Sequence, residues 1–144
     1  MRLALCLGLV FSCGWILGCA KEGPPRKRTF KVTGVLTVDG QPPNSPLQIQ
    51  CHDLAGLDKE MPTLPQAVSQ PDGKFEISTY EKGDGIPIGE YVLTVAWHQF
   101  NAISMSYGGP DKLNKRYSDA KESTIKFSVI DKPVDLGEIK LTTK

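Results

Sequence analysis

The sequence predicts an all-β protein built as an antiparallel, seven-stranded β-sandwich of Greek-key type. From residue 30 onward apolar residues recur with a period of two, and turn signals separate about seven short segments of this kind. No long segment shows the 3.6-residue period of a helix. The 144 residues fit one such domain. About 115 residues are enough to bury roughly two thirds of the surface that the unfolded chain exposes.

Composition excludes several classes of protein. The chain has 17 Lys and Arg residues against 16 Asp and Glu residues, a net charge of +1, and 8% aromatic residues. This balance provides neither a basic stripe nor interleaved stacking residues, so nucleic acid is not an expected partner. The hydrophobic fraction of 40% is ordinary for a folded domain, so disorder is not expected either.

The N-terminus has the pattern of an export signal. Arg2 gives a minimal positive start, and residues 3–17 form an apolar run of the length typical of a signal peptide. The run is too short to cross a bilayer comfortably, since about 20 apolar residues are needed. We therefore predict residues 1–18 as a lipoprotein signal peptide rather than a membrane-spanning anchor.

The apolar run ends in a motif that resembles the lipobox of bacterial lipoproteins. Ile16, Gly18 and Cys19 supply its aliphatic residue, its small residue and the cysteine that becomes acylated. Residues 10–13 match less well because they leave a shorter apolar run. Two or three acyl chains, such as palmitate, hold a protein on a membrane far better than one, so we expect Cys19 to be the lipidation site. Ala20, where Asp commonly retains a lipoprotein on the inner membrane, favours the outer membrane.

Residues 19–29 are predicted as the lipidated N-terminus followed by a flexible tether. This stretch contains glycine, two prolines and four basic residues. The basic residues suit either a solvated linker or contact with anionic head groups, at about 1 kcal/mol each near a membrane surface. The four are Lys21, Arg26, Lys27 and Arg28.

Residues 30–144 are predicted as the β-sandwich domain. Residues 30–38 alternate and end at an Asp-Gly turn, and residues 47–51 alternate with Cys51 on the apolar face. Because the other three cysteines leave with the signal peptide or become acylated, Cys51 is expected to be a small core residue without a disulfide partner. Residues 53–66 are interpreted as a loop with one helical turn around residues 56–60.

The remaining segments continue the strand pattern. Residues 67–69 and 74–79 flank a Pro-Asp-Gly turn and are predicted to form a hairpin. Residues 91–97 are apolar on both faces, which is typical of a central strand. Residues 124–129 alternate, and residues 134–142 change phase part-way along. One extra residue at Gly137 or Glu138 restores the phase, so the sequence predicts a β-bulge there.

Three segments resemble the carboxypeptidase regulatory-like domain: residues 34–42 (GVLTVDGQP), 71–77 (PDGKFEI) and 87–95 (PIGEYVLTV). The resemblance implies a transthyretin-like, seven-stranded sandwich of the broader immunoglobulin-like type. Behind a lipobox, it looks like a group of small bacterial lipoproteins with no assigned biochemical activity. The motif residues are implied to be structural, with Gly40, Gly73 and Gly89 at turns and Phe75 and Tyr91 in the core.

The sequence offers no catalytic constellation. No nucleophile elbow, zinc-protease motif, paired C-x-x-C or phosphate loop is present, and His52 and His98 are the only histidines. We therefore expect no enzyme activity, no catalytic residues, no metal and no cofactor. Two weaker alternatives are a hydrolase with His98 as base, and a calcium site at Asp84 with Asp72 or Glu81.

The segment with the strongest functional signal is the long connection over residues 98–122. Connections of this length in small domains are usually functional or disordered, and this one is too apolar for disorder, with Ile103 and Met105 among its residues. Within it, Pro110 and Asp111 can start one helical turn, and Asp119 with Glu122 can cap another. Its aromatic residues, together with one that precedes it, form either a binding platform or a cap on the open end of the sandwich. The candidate ligand-binding residues are Trp97, Phe100, Tyr107 and Tyr117.

These observations predict a non-enzymatic, lipid-anchored β-sandwich that acts as a binding or structural module at the bacterial cell envelope. Its expected partners are the membrane, through the N-terminal lipid, and another envelope protein. The alternative is a carbohydrate-binding module in which the aromatic residues of the 97–117 region contact a polysaccharide.

Overall fold

The computed structural model describes residues 25–144, and these residues form eleven β-strands and no helix. The all-β fold class predicted from the sequence is therefore confirmed. Within this range no helix is long and apolar enough to cross a membrane. The strands are β1 (Thr29–Phe30), β2 (Val32–Val38), β3 (Gln48–Asp53), β4 (Gln66–Val68), β5 (Lys74–Glu76), β6 (Ile86–Pro87), β7 (Gly89–Ala96), β8 (Gln99–Asn101), β9 (Ser106–Gly108), β10 (Lys126–Val129) and β11 (Val134–Leu141).

Two larger sheets enclose the core. One has four strands in the order β10-β7-β3-β4, and the other has three in the order β11-β2-β5. Two short pairs, β1-β6 and β8-β9, complete the described structure. The inward-facing residues of both larger sheets join in one buried cluster. Its fully buried members include Val32, Leu36, Ile49, Ile77, Tyr91, Leu93 and Val95.

The strand β7 is central, as its sequence predicts. It pairs with β3 on one side and with β10 on the other, both antiparallel. Every residue from Tyr91 to Val95 is buried, so both faces of the strand are covered. The Tyr91 ring stacks on Phe127 with centroids 5.8 Å apart, and its hydroxyl donates to the Pro87 carbonyl. Burying each large apolar side chain of this kind stabilises the fold by about 1.5–3 kcal/mol.

The predicted hairpin around the Pro-Asp-Gly turn needs correction. The turn is present, because the Gly73 N–H donates to the Gln70 carbonyl and Gly73 has a φ of 88°. However, β4 pairs with β3 in one larger sheet, whereas β5 pairs with β2 in the other. The turn therefore carries the chain between the two sheets. The two segments still contact each other, through an isolated antiparallel bridge between Gln66 and Ser78 and a hydrogen bond from the Gln70 N–H to the Lys74 carbonyl.

The last strand contains the predicted β-bulge. The pairing of β11 with β2 shifts register between Asp135 and Glu138, and Gly137 lies there with a φ of 64°. This bulge is confirmed. The pairing itself is parallel, which differs from the expected antiparallel arrangement. The short connection from β10 enters β11 at the same end of the sandwich at which β2 begins, so the two strands must run in the same direction.

No helix forms in the described residues at the predicted helical turns, but the turn at residues 119–122 is present: the Asp119 carbonyl accepts the N–H groups of Glu122 and Ser123, and its carboxylate accepts the Lys121 N–H. Around residues 56–60, the Asp58 carboxylate accepts the N–H groups of Glu60 and Met61, which favours a local Asp-centred turn over a helix. In the long connection, the first part forms the β8-β9 hairpin, which the sequence pattern did not predict. The remainder, residues 110–122, is turns without a helix.

The sandwich has two distinct ends. At the entry end, where the described chain begins, β1 pairs with β6 and Gly89 pairs with Val129. At the far end, Ala96 pairs with Gln48. The eight residues of β7 separate these ends. That length corresponds to about 25 Å at 3.3 Å per residue.

Candidate functional site

The predicted lipidation site, Cys19, lies outside the described residues. The last residues of the predicted tether are described, and they contact the domain. The Arg26 guanidinium pairs with the Glu81 carboxylate at 2.6 Å and lies over the Tyr80 ring. The Lys27 N–H donates to the Tyr80 hydroxyl at 3.0 Å. The basic residues next to the domain therefore contact its acidic and aromatic side chains, while the Arg26–Glu81 pair itself remains exposed to solvent.

A second ion pair completes these contacts at the entry end. The Lys27 ammonium lies 2.6 Å from the Asp58 carboxylate. The hydrogen bond to Lys27, together with the N–H groups of Met61 and Glu60, lowers the pKa of Asp58 from 3.8 to about 2. The same hydrogen bond raises the pKa of Lys27. We call the two ion pairs, Arg26–Glu81 and Lys27–Asp58, the entry clamp.

Of the four candidate aromatic residues, Trp97 and Tyr117 pack against the core. Both are half-buried and pack against the core cluster. The indole N–H of Trp97 donates to the Ser45 hydroxyl at 2.7 Å, and the Tyr117 hydroxyl accepts the Thr142 N–H at 3.1 Å. Their polar groups are thus engaged within the protein, as expected of residues that close the far end of the sandwich.

Asp111 fixes the chain where the long connection returns to the sandwich. Its carboxylate is buried and accepts the N–H groups of Trp97, Leu113 and Lys115 at 2.9–3.0 Å. The Lys112 ammonium lies 4.8 Å from the centre of the Trp97 ring. This network of charge-assisted hydrogen bonds closes the base of the β8-β9 hairpin and sets the direction in which the hairpin leaves the domain.

Phe100 and Tyr107, the other two candidate residues, lie together on that hairpin. They are cross-strand partners, and their rings are 5.2 Å apart at an angle of 55°. Every residue of the hairpin is exposed: Phe100 by 44%, Tyr107 by 37%, Ile103 by 96% and Met105 by 76%. We call residues 99–108 the arm. The structure thus brings together two of the four candidate residues and places all four at the far end.

The arm has no charged side chain. Residues 99–110 contain no Asp, Glu, Lys or Arg. At its tip the Asn101 carboxamide accepts the N–H groups of Ile103 and Ser104, and the hydroxyls of Ser104 and Ser106 lie 2.8 Å apart. These contacts satisfy backbone groups within the arm, and they leave the side chains of Ile103 and Met105 facing solvent.

A groove of about 400 Å³ lies beside the arm, on the outer face of the four-stranded sheet. Tyr107 forms one of its walls, so the arm and the groove are contiguous. Among the described residues that line it, none is Asp, Glu, Lys or Arg. Its polar side chains are amides and hydroxyls, and the exposed Val68 adds apolar surface. The polar lining consists of Gln48, Gln50, Gln66, Thr94 and Ser118.

The sequence analysis missed this groove. Its residues point outward from three strands that are distant in sequence, and outward polar residues are typical of any half-solvated sheet. The available signal was that these outward positions hold glutamine and threonine rather than charged residues. Gln48 is distinctive: its carbonyl oxygen accepts the His98 N–H and contacts the His98 ring, while its amide nitrogen is buried without a hydrogen-bond partner in the described structure.

The two histidines and the free cysteine of the described region contact different parts of the protein. The ring of His52 contacts the Thr94 hydroxyl at 3.0 Å, and that of His98 contacts Gln48 at 2.9 Å. Cys51 is a buried free thiol, as predicted, and burial raises its pKa to about 12. Such a thiol is inert at neutral pH.

No metal site is apparent in the part of the chain that the structure describes. Residues 25–144 contain no group of three or more His, Cys, Asp or Glu side chains that could hold a metal ion. Asp84, the candidate calcium ligand, instead accepts the N–H groups of Thr79 and Tyr80. Asp72 accepts the Lys74 N–H and pairs with its ammonium.

Comparison with known proteins gives no family. No protein-family model matches the chain, and no curated protein matches it. Among solved structures, a 9R-lipoxygenase from Cyanothece PCC8801 is similar with 16% sequence identity and a TM-score of 0.41. The alignment covers 79% of this chain but only 16% of the lipoxygenase chain. A likeness of this size carries no argument about fold or activity.

Proposed function

We propose that this protein is a non-enzymatic, lipid-anchored β-sandwich that binds another protein at the bacterial cell envelope, on the outer membrane. The observation that carries the proposal is the lipobox at the end of the N-terminal apolar run. Cys19 stands only ten residues before Thr29, where the first strand begins. An acylated Cys19 would therefore hold a folded domain close to the membrane.

The entry clamp shortens the stretch of chain between the proposed lipid and the domain. Because residues 26–28 lie on the domain, only residues 20–25 separate it from the acylated cysteine. Six extended residues span at most about 20 Å. The entry end therefore stays within about 20 Å of the membrane, whereas the base of the arm lies at the opposite end of the sandwich. An exposed apolar surface in that position suits a protein partner better than the anchoring bilayer.

The proposed family is the carboxypeptidase regulatory-like domain, on the resemblance of the three motif segments. The two larger sheets hold four and three strands, which is the total that this resemblance implies. The motif residues Phe75 and Tyr91 are buried, and Gly40 and Gly73 lie in turns with positive φ, whereas Gly89 is the first residue of β7 and not a turn residue. These placements support a structural role for the motif, and hence a binding function over an enzymatic one.

The experiment that tests the anchor is intact mass and membrane fractionation of the expressed protein beside a Cys19→Ala variant. The expected product has the mass of residues 19–144 plus its acyl chains and is found in the membrane fraction. The matched control is Cys13→Ala, which removes the competing motif and should leave both the mass and the location unchanged. An unmodified product in the soluble fraction, or loss of the lipid in the control instead, would contradict the proposed anchor at Cys19.

A second candidate function is binding of a neutral polysaccharide in the groove. It is favoured by the combination of Tyr107 with the uncharged lining. Sugars are commonly held by aromatic faces together with amides and hydroxyls. Affinity electrophoresis in gels containing polysaccharide tests it: Tyr107→Ala should abolish any retardation, whereas Ile130→Ala, an exposed apolar residue outside the groove, should not.

A further inference from the structure

Exposed aliphatic side chains follow one another along the entry end of the sandwich. Leu54 directly follows β3, Ile88 directly precedes β7, and Ile130 directly follows β10. These three strands are neighbours in the four-stranded sheet. The last residue of β10 pairs with the first residue of β7, and the Leu54 N–H donates to the carbonyl of Glu90 in β7. Because neighbouring strands lie about 4.8 Å apart, the three residues stand side by side at one edge of the sheet.

Leu57 extends this row. It lies in the loop that follows β3 and immediately precedes Asp58, the acid that pairs with Lys27 in the entry clamp. Each of the four aliphatic residues exposes more than half of its surface. Single exposed apolar residues are ordinary, but a contiguous group at one end of a domain marks an interaction site. We call this group the entry rim: Leu54, Leu57, Ile88 and Ile130.

We infer that the entry rim seats on the same bilayer that would hold the acyl chains of Cys19. The inference rests on the proposed lipid anchor and specifies how the anchored domain is oriented. Residues 20–25 span at most about 20 Å. A folded partner of about 100 residues has a radius of gyration of about 13 Å, so it is too wide to lie between the rim and the membrane. The lipid surface itself is therefore the occupant.

The last residue of the tether suits a lipid surface. Arg28 comes opposite Ile88 in the register of β1 and β6, and its side chain is exposed. Its guanidinium lies over the Phe30 ring, and none of the ion pairs in the described structure includes it. Arginine pairs well with phosphate, so Arg28 can meet a lipid head group beside the rim. Other charged residues near the rim have both signs, so the tether and the apolar residues, rather than net charge, select the bilayer. They include Glu90, Asp131 and Lys132.

The short tether allows a small apolar surface to be sufficient. Contact between the rim and the membrane becomes an intramolecular event once Cys19 is acylated, and such an event proceeds at a high effective concentration. The entry clamp holds residues 26–28 on the domain, so these residues do not lengthen the tether. Four aliphatic side chains therefore need not hold the protein on a membrane by themselves.

The test is quenching of a fluorescent label by nitroxide lipids. Chains expressed at full length with Ile88→Cys or Ile130→Cys are purified with their acyl chains and labelled with a bimane. They are reconstituted into vesicles of phosphatidylethanolamine and phosphatidylglycerol that contain a lipid with a nitroxide on its acyl chain. Cys51 is buried, so the label attaches to the introduced thiol. The matched controls are Ile103→Cys and Val68→Cys, which replace exposed residues at the far end.

The nitroxide should quench the labels at residues 88 and 130 strongly and the two far-end labels little. Leu54→Asp combined with Leu57→Asp should reduce the quenching at residue 130, because carboxylates resist transfer out of water. Ile103→Asp should leave that quenching unchanged. Equal quenching at the two ends, or quenching at residue 130 that survives the double substitution, would overturn the inference.

Flotation of the same vesicles separates this result from a failure of the anchor. A chain that floats with the vesicles while its labels at residues 88 and 130 escape quenching would support the anchor and overturn the seated rim. A chain that carries no acyl group and does not float would contradict the anchor, and the inference would fall with it.

Discussion

The strand β7 and the arm are separated by only two residues and are both rich in apolar side chains, but β7 buries these side chains and the arm exposes them. From Tyr91 to Val95 every side chain of β7 is buried, whereas every residue of the arm is exposed. The first segment contributes to stability by removing apolar surface from water. The second leaves its apolar surface in contact with water, and such a surface is characteristic of recognition.

This difference gives each apolar segment its own experimental signature. Substitutions in β7 should lower the free energy of unfolding and leave binding untouched where the chain still folds. Substitutions at the tip of the arm should do the reverse. Trp97 and Asp111 stand between the two segments, and a change there should affect both.

The largest effect is expected for Leu93→Ala in β7. Leu93 is fully buried between the sheets, so truncation leaves a cavity and should lower the free energy of unfolding by about 2–5 kcal/mol. Urea denaturation of the purified chain measures this loss. A change smaller than about 1 kcal/mol would mean that β7 is not the centre of the core.

Asp111→Ala should have the next largest effect. Its removal leaves the N–H groups of Trp97, Leu113 and Lys115 without their acceptor at the base of the arm. Hydrogen bonds to a charged group contribute about 1.5–3 kcal/mol, so a loss of about 2 kcal/mol is expected in the same denaturation experiment. The control is Asp119→Ala, which removes an exposed carboxylate that accepts the backbone N–H of Lys121. It should change the free energy of unfolding little.

The entry clamp is a third segment to compare with β7 and the arm. Ion pairs, rather than burial of apolar side chains, hold it on the domain. The pKa of Asp58 is lowered from 3.8 to about 2. The stabilisation that its carboxylate gives to the clamp is therefore complete above pH 3.8 and is lost as the pH falls toward 2. The pKa of Lys27 is raised above 10.5. The stabilisation that its ammonium gives to the clamp is therefore present below pH 10.5 and is lost only in stronger alkali. Residues 26–28 should therefore leave the domain in strong acid while the sheets persist.

The pH dependence of the Lys27 amide signal in NMR spectra measures this release. Asp58→Asn should remove the transition, because its side chain no longer ionises. A transition that survives in Asp58→Asn would assign the release to another group.

The smallest effect on stability is expected for Ile103→Asp at the tip of the arm. The side chain is almost fully exposed, so the free energy of unfolding should change by less than about 0.5 kcal/mol. Ile77→Asp, which places the same carboxylate at a fully buried position, is the control and should unfold the domain. Destabilisation by Ile103→Asp comparable to that of a core substitution would show that the arm is a structural cap.

Local patterns predicted most of the fold, because the period of two and the turn residues are local properties. The central position of β7 followed from its two apolar faces, the bulge followed from the phase change at Gly137, and the burial of Cys51 followed from its place in an alternating strand. Local patterns do not indicate to which sheet each strand belongs. Nothing in the alternation of residues 66–78 indicates that β4 and β5 pair with different partners.

The candidate site was predicted only in part. Aromatic content marked residues 97–117 as the region to inspect, but composition does not distinguish Trp97, whose indole N–H is bonded to Ser45, from Phe100, whose ring packs on Tyr107 and is 44% exposed. The β8-β9 hairpin was missed because its strands are three residues long and lack a conventional Asn-Gly turn. The groove was missed because it assembles residues from β3, β4 and β7.

The central claim, that the apolar residues of the arm serve recognition rather than the fold, is tested most directly by amide hydrogen exchange over residues 99–108 in a dilution series of the purified chain. We predict that these amides exchange rapidly at every protein concentration in the absence of a partner, while β7 stays protected throughout. Protection of the arm comparable to that of β7 in the most dilute sample would contradict the account.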